Sequence, residues 1–112
     1  MKVWQNAMGL VKDVYLHISD LPHDERFGLN AQIKRSAISI PSNIAEGAGR
    51  GSNQDFSRFL NISLGSAYEL ETQIILSSDL GLMRSEISQK LILLINEVQK
   101  MIHGLLKKLR SY

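Results

Sequence analysis

Glu46, Glu69 and Glu71, together with His17, His23 and His103, are the side chains of this 112-residue chain best suited to acid-base or metal chemistry. Carboxylates turned inward in a helical protein suggest a di-iron centre, which takes Glu-x-x-His on two helices and a further Glu on each of the others. No Glu here has a His three residues on, and no two histidines stand at the i, i+4 spacing of a helical metal pair. That pattern argues against metal catalysis. The absence of cysteine also removes thiolate zinc sites, cysteine nucleophiles and disulfides. Gly47-Ala48-Gly49-Arg50-Gly51-Ser52 resembles a phosphate loop, but it follows a helical pattern, has Ser52 where the dinucleotide fingerprint needs its third glycine, and lacks Gly-Lys-Ser/Thr. A weaker role survives for it, in which Arg50 and the free N–H groups of the next helix touch a backbone phosphate in competition with Asp55. Asn61-Ile62-Ser63 matches the glycosylation pattern but falls in mid-helix.

A second group of polar residues has the spacing of a helix face. Gln32, Arg35, Ser36, Ser39, Asn43, Glu46 and Arg50 fall along one side, nearly opposite Ile33, Ala37, Ile40 and Ile44. Short hydroxyl and amide side chains dominate it, where a free surface would carry more Lys and Glu. The stripe therefore reads as an interface, ahead of plain solvent and of a ligand site. Glu71 lies at the edge of the Phe56, Leu60, Ala67, Ile74 stripe and needs a partner, since an unpaired buried charge is expensive; Arg35 and Asn43 are the candidates. Glu69 and Gln73 lie away from that stripe. A packing and register network is preferred to acid-base work for this set. Pro41 sits at the centre of the segment, where proline costs roughly 3 kcal/mol, and is expected to kink the helix and aim Ser39, Asn43 and Glu46 at a neighbouring helix or subunit.

These residues are positioned by four predicted helices. The first runs from about Lys2 to Ser19, with Val3, Ala7, Leu10, Val14 and Ile18 on one face. The second starts near Pro22 to Asp24 and runs to about Ala48, where Gly47, Gly49 and Gly51 end it. Ser52, with Asp55 three residues on, caps a third helix that Gly81 can close. Ser85 caps the fourth, which carries two seams: Ile87, Leu91, Leu94, Val98, Met101 and Leu105, and beside them Ile92, Ile95, Ile102, Leu106 and Leu109. No stretch alternates with period two. The pattern predicts an all-α, antiparallel up-and-down four-helix bundle in one domain, residues 1–112. The double seam suggests self-association or, equally, a broad core face.

Thirteen Lys and Arg against eleven Asp and Glu give a formal charge of only +2, too little by itself to argue for nucleic acid. The distribution says more, because no acid follows Glu97 while Lys100, His103, Lys107, Lys108 and Arg110 do. Such a helix end either complements its own dipole or meets an anionic partner. The N-terminus lacks the apolar core of a signal peptide, and the longest aliphatic run, Leu91 to Ile95, is far short of a membrane span. A soluble cytoplasmic protein, with no membrane association, is expected.

Trp4, Leu21-Pro22, Glu25, Phe27-Gly28-Leu29, Gln32-Ile33, Arg35, Ser39-Ile40-Pro41-Ser42-Asn43-Ile44-Ala45-Glu46-Gly47, Gly65-Ser66 and Glu69-Leu70-Glu71 together resemble the bacterial four-helix bundle proteins of the 23S rRNA intervening-sequence family. The resemblance covers nearly the whole chain. It implies a homopentamer of antiparallel four-helix bundles around a central channel, of a kind some of whose genes lie inside inserts in large-subunit rRNA genes. The same proteins resemble the basic pentameric accessory protein of diversity-generating retroelements, which binds nucleic acid and a reverse transcriptase. The expectation is a non-enzymatic homo-oligomer that binds rRNA or other nucleic acid through backbone phosphates. Lys34, Arg35, Arg50, Lys107, Lys108 and Arg110 are its candidate contacts, with Arg35, Ser39, Asn43, Glu46, Glu69, Glu71 and Gln73 as an interface network. The alternative is an interaction scaffold or accessory subunit for a protein partner. Neither reading assigns a catalytic residue, metal or cofactor.

Overall fold

Apolar residues recurring three and four apart become helices in a computed structural model of the chain, which describes residues 1–18 and 28–110. The described residues form α1 (Lys2–Ile18), α2 (Leu29–Ala48), α3 (Asn53–Asp79) and α4 (Ser85–Arg110), with no strand among them. No helix among them is long and apolar enough to cross a membrane.

Local chemistry sets most of the ends. Ser52 has an extended backbone and its hydroxyl accepts the Asp55 N–H at 3.1 Å, so one of the unpaired donors at the start of α3 is satisfied. At the other end Gly81, at φ +73°, turns the chain left-handed, and the N–H groups of Leu82 and Gly81 reach back to the carbonyls of Ser77 and Ser78 at 2.8 and 3.0 Å. This Schellman closure needs a residue without a Cβ penalty.

The second helix ends at Ala48 as expected, but three details of the helix ends differ or fall outside the described residues. The second helix begins at Leu29, because Gly28, at φ −100° and ψ −106°, stands outside helical geometry; the expected start at Pro22 to Asp24 lies outside the described residues, as does Ser19. Of the three glycines expected to end α2, only Gly51 is left-handed, at φ +87°. Gly49 is right-handed at φ −82°, and Gly47 is a buried residue inside the helix. Nor does Ser85 cap α4. The Ser88 N–H donates to the Arg84 carbonyl at 3.0 Å, which makes Arg84 the capping position, and Ser85 is already helical, its hydroxyl accepting from Gln89 at 3.3 Å.

The helices touch in a cycle, α1 on α2, α2 on α3, α3 on α4 and α4 on α1, with the α2–α3 pair the most extensive. Their common core contains Leu10, Val14, Ile33, Ile40, Ile44, Leu60, Leu70, Ile74, Leu91, Ile95, Val98 and Ile102, all essentially inaccessible. Burying each of these large side chains contributes about 1.5–3 kcal/mol. The two seams expected on α4 merge into one broad face. Leu91, Ile95, Val98, Ile102 and Leu106 are buried, and Ile87, Ile92, Leu94, Met101, Leu105 and Leu109 pack half-buried on either side. The double seam is thus consumed within the chain.

Gly47 marks the tightest crossing. A Cβ there would fall 2.6 Å from the Phe59 Cβ and 3.1 Å from Phe56 Cδ1. Gly47→Ala is expected to destabilise the protein by about 1–3 kcal/mol in urea unfolding, through overpacking, although alanine's helix propensity alone would stabilise by about 1 kcal/mol. Gly49→Ala meets only carbonyl oxygens at 3.6 and 3.7 Å and is expected to stay within about 0.5 kcal/mol of the parent. Equal effects at the two positions would contradict the close approach.

Candidate nucleic-acid interface

The polar stripe of α2 faces α3 of its own chain over half its width. Ser36 Oγ donates to Glu69 Oε1 at 2.9 Å, the Ser39 and Ser66 hydroxyls lie 2.7 Å apart, and Ser63 Oγ donates to the Ile40 carbonyl at 2.9 Å. Asn43 folds back along α2, its amide donating to the Ser39 carbonyl at 2.8 Å and hydroxyl at 2.9 Å. Partners fall in number on α3 as they rise on α2. Ser36 is only 2% exposed, because at 100° per residue it lies about 60° from the Ile33 direction, on the flank of the core face instead of opposite it. Gln32, Arg35, Glu46 and Arg50 form the outer, exposed half.

Glu71 finds a different partner from the two expected. Gln99 of α4, 7% exposed, donates to Glu71 Oε1 at 2.9 Å, whereas Asn43 is occupied on α2 and Arg35 is exposed. Gln99 was missed because it sits beside Val98 on an otherwise apolar face, where a lone amide gives no sign of what it meets. Gln73 offers its carbonyl to Ser77 Oγ at 2.9 Å, while its own buried Oε1 accepts no hydrogen bond. Glu69 and Glu71 thus each accept a hydrogen bond from a side chain of a neighbouring helix. Among the described residues no group of three or more His, Asp and Glu could hold a metal ion. α2 continues through Pro41, which is buried.

The expected cationic contacts divide between two regions. Lys34 lies with its ammonium 5.3 Å from the centre of the Tyr15 ring, and neighbouring Arg35 is exposed. Arg50 is 15 residues further on, two past the end of α2. Further cations line two hollows beside α4. Lys2 and Lys108 line one hollow with Met1, Met101 and Leu105, and Arg110 lines a groove with Ser57 and Asn61 at the start of α3. Lys2 of α1 and Ser57 of α3 thus each line a hollow with residues from the last turns of α4, in a molecule 46 Å long.

Arg58, which sequence reasoning passed over, shares an aromatic contact with Arg50. Its guanidinium lies 4.5 Å from the centre of the Phe59 ring and that of Arg50 lies 4.9 Å from the same ring. Each also pairs with an exposed acid, Arg50 with Glu46 at 3.4 Å and Arg58 with Asp55 at 3.8 Å. Exposed pairs of this kind contribute about 0–1 kcal/mol, so neither holds its arginine back from a phosphate.

An all-helical fold, with its inner carboxylates bonded between helices and several of its cations lining hollows beside α4, defines a four-helix protein without an assembled catalytic constellation among the described residues. The family described as 23S rRNA-intervening sequence protein matches residues 1–104, and the chain belongs to that family. A crystal structure at 1.70 Å resolution, of a protein of unknown function from the S23 ribosomal protein family of Bacteroides thetaiotaomicron VPI-5482, is similar in fold with a TM-score of 0.87 and 25% identity, over 94% of this chain and 98% of that one. Neither description names a reaction. No protein of curated function matches the chain.

The role of Glu71 as a packing group can be tested directly. Gln99→Leu leaves the carboxylate without its donor and is expected to lower stability by about 1.5–3 kcal/mol. Glu71→Gln, which can still accept from Gln99, is expected to change it by less than about 1 kcal/mol. Thermal and urea unfolding of both variants would decide, and a harmless Gln99→Leu would remove the network from the account of the fold.

Proposed function

We propose that this protein is a non-enzymatic, cytoplasmic homo-oligomer of antiparallel up-and-down bundles, a pentamer as the family resemblance implies, that binds RNA or DNA through backbone phosphates. The observation that carries the reading is the cationic end. Lys2, Arg50, Arg58, Lys107, Lys108 and Arg110 gather there, against Glu46 and Asp55, each already on an arginine. A net charge of +2 hides this segregation, and repetition around a ring would multiply the field. The opposed numbering of partners between α2 and α3 supports the antiparallel arrangement.

Assembly is supported by an apolar groove of about 380 Å³ between α1 and α2, lined by Trp4, Met8, Val11, Ile38, Pro41 and Ala45. Trp4 is 36% exposed there and Ile38 44%. Pro41 suits such a floor, since its ring is apolar and brings no backbone donor that needs a partner. The same groove favours the second reading, a scaffold that seats a protein partner. Retention of one protein from nuclease-treated lysate, with no nucleic-acid affinity in the purified protein, would decide for it.

Two measurements test the proposal. Light scattering is expected to give an oligomer that Ala45→Arg reduces to a folded monomer; a monomeric parent protein would refute the assembly. Filter binding to rRNA fragments and duplex DNA between roughly 50 and 200 mM salt is expected to show a steep loss of affinity from counterion release. Lys107→Glu and Arg110→Glu should each lower the log-log salt slope by about 1, and Lys34→Glu or Arg35→Glu should leave it nearly unchanged. A signal indifferent to salt would overturn phosphate binding.

A further inference from the structure

Between α3 and α4 runs a groove whose chemistry differs along its length. Two hollows of about 270 and 350 Å³ meet at His103. On the α4 side, Lys100 and His103 line one hollow and His103 and Arg110 the other; Lys107, in the last turn, follows His103 at i, i+4, and the span from Lys100 to Arg110 rises about 15 Å along the helix. On the α3 side, Ser57 and Asn61 line the hollow toward Arg110. In the other hollow Tyr68 faces Leu93, Asn96, Glu97 and Lys100. Tyr68 is 47% exposed and Leu93 71%. The Tyr68 hydroxyl lies 3.1 Å from His103 Nε2, with the two rings tilted at 59°, which fixes the orientation of the phenol.

An exposed aromatic ring, held by its hydroxyl and followed by a line of cations, matches the needs of a polynucleotide strand whose bases are unpaired. Base stacking on an aromatic face requires a base free of its duplex partner, and a basic track then takes the phosphates. Among the described residues lining the groove the one acid is Glu97, at the Tyr68 end, where it repels phosphate and can accept from a base amine. The polarity of the groove thus separates base from backbone. At 3.4 Å per stacked nucleotide, the cationic face accompanies about four phosphates.

We infer that the α3–α4 groove binds a single-stranded polynucleotide, with an unpaired base stacked on Tyr68 and its phosphates led along His103, Lys107 and Arg110. The inference rests on the reading of this protein as a phosphate-binding one. It adds that the strand must be open.

The test is fluorescence anisotropy with the intact protein and labelled oligo-U, oligo-dT and a duplex of equal length, at low salt, with helix content checked by circular dichroism. Tyr68→Ala is expected to weaken the single strands roughly 5- to 150-fold, the range of one lost base stack, and to leave the duplex unchanged. Tyr68→Phe keeps the ring and is expected to stay within about threefold. Oligo-dU, which lacks thymine's methyl group, is included so that its difference from oligo-U reports the 2′-hydroxyl alone. Equal binding of single strands and duplex, both indifferent to Tyr68→Ala, would overturn the groove and leave phosphate binding standing. No binding by any probe would overturn both.

Discussion

α2 and α3 approach so closely that Gly47 has no room for a Cβ beside Phe59, and this contact sets the terms for the rest of the bundle. Backbones can come so near only where side chains are small. Ser36, Ala37 and Gly47 on one helix and Ser63, Ser66 and Ala67 on the other meet that condition. Small hydroxyls bring a second property, since each must find a partner once water is excluded. The Ser36–Glu69, Ser39–Ser66 and Ser63–Ile40 bonds supply those partners at one register. Sliding α2 by one turn along α3 would break all of them while keeping much of the apolar contact. Hydrophobic burial holds the pair together, and the hydroxyls decide where along it the helices stop.

What could be read from residue order was whatever depends on near neighbours. The Ser52 cap needs only Asp55, and the Gly81 closure needs only the turn before it, so both could be seen in the chain. The core stripes of α1 and α3 follow from spacing alone. Contacts between helices were a different matter. Ser36 was placed nearly opposite the core, on a face read as an interface, because a helical wheel does not show which neighbour leans over its flank, and Glu71 was matched with α2 when its partner lies on α4. Arg58 was passed over although its Asp55 partner and the Phe59 ring both lie within α3; what residue order does not show is that Arg50 shares that ring. The six expected cations were found by type and order. Four of them follow the end of α2 or stand in the last turns of α4, and two lie near the start of α2.

The family places this protein beside a solved relative of unknown function, so weight falls on how its charge is arranged. Acids and bases nearly cancel over the whole chain. They do not cancel locally, because the last acid of α4 is Glu97 and the helix continues to Arg110. A dipole of side chains is thereby superposed on the α4 backbone dipole, whose C-terminal end is negative. The cations both quiet that end and exceed it.

Phe59 links the two halves of this description. Its Cβ is what Gly47 makes room for, and its ring lies beneath Arg50 and Arg58. An arginine free in solvent loses about 1.5–2 kcal/mol of rotamer entropy when a partner immobilises it. Two guanidinium groups resting on a ring that the core itself holds have surrendered part of that freedom at folding. Tight packing at a helix crossing thus reaches some residues away, as side-chain order in two exposed arginines.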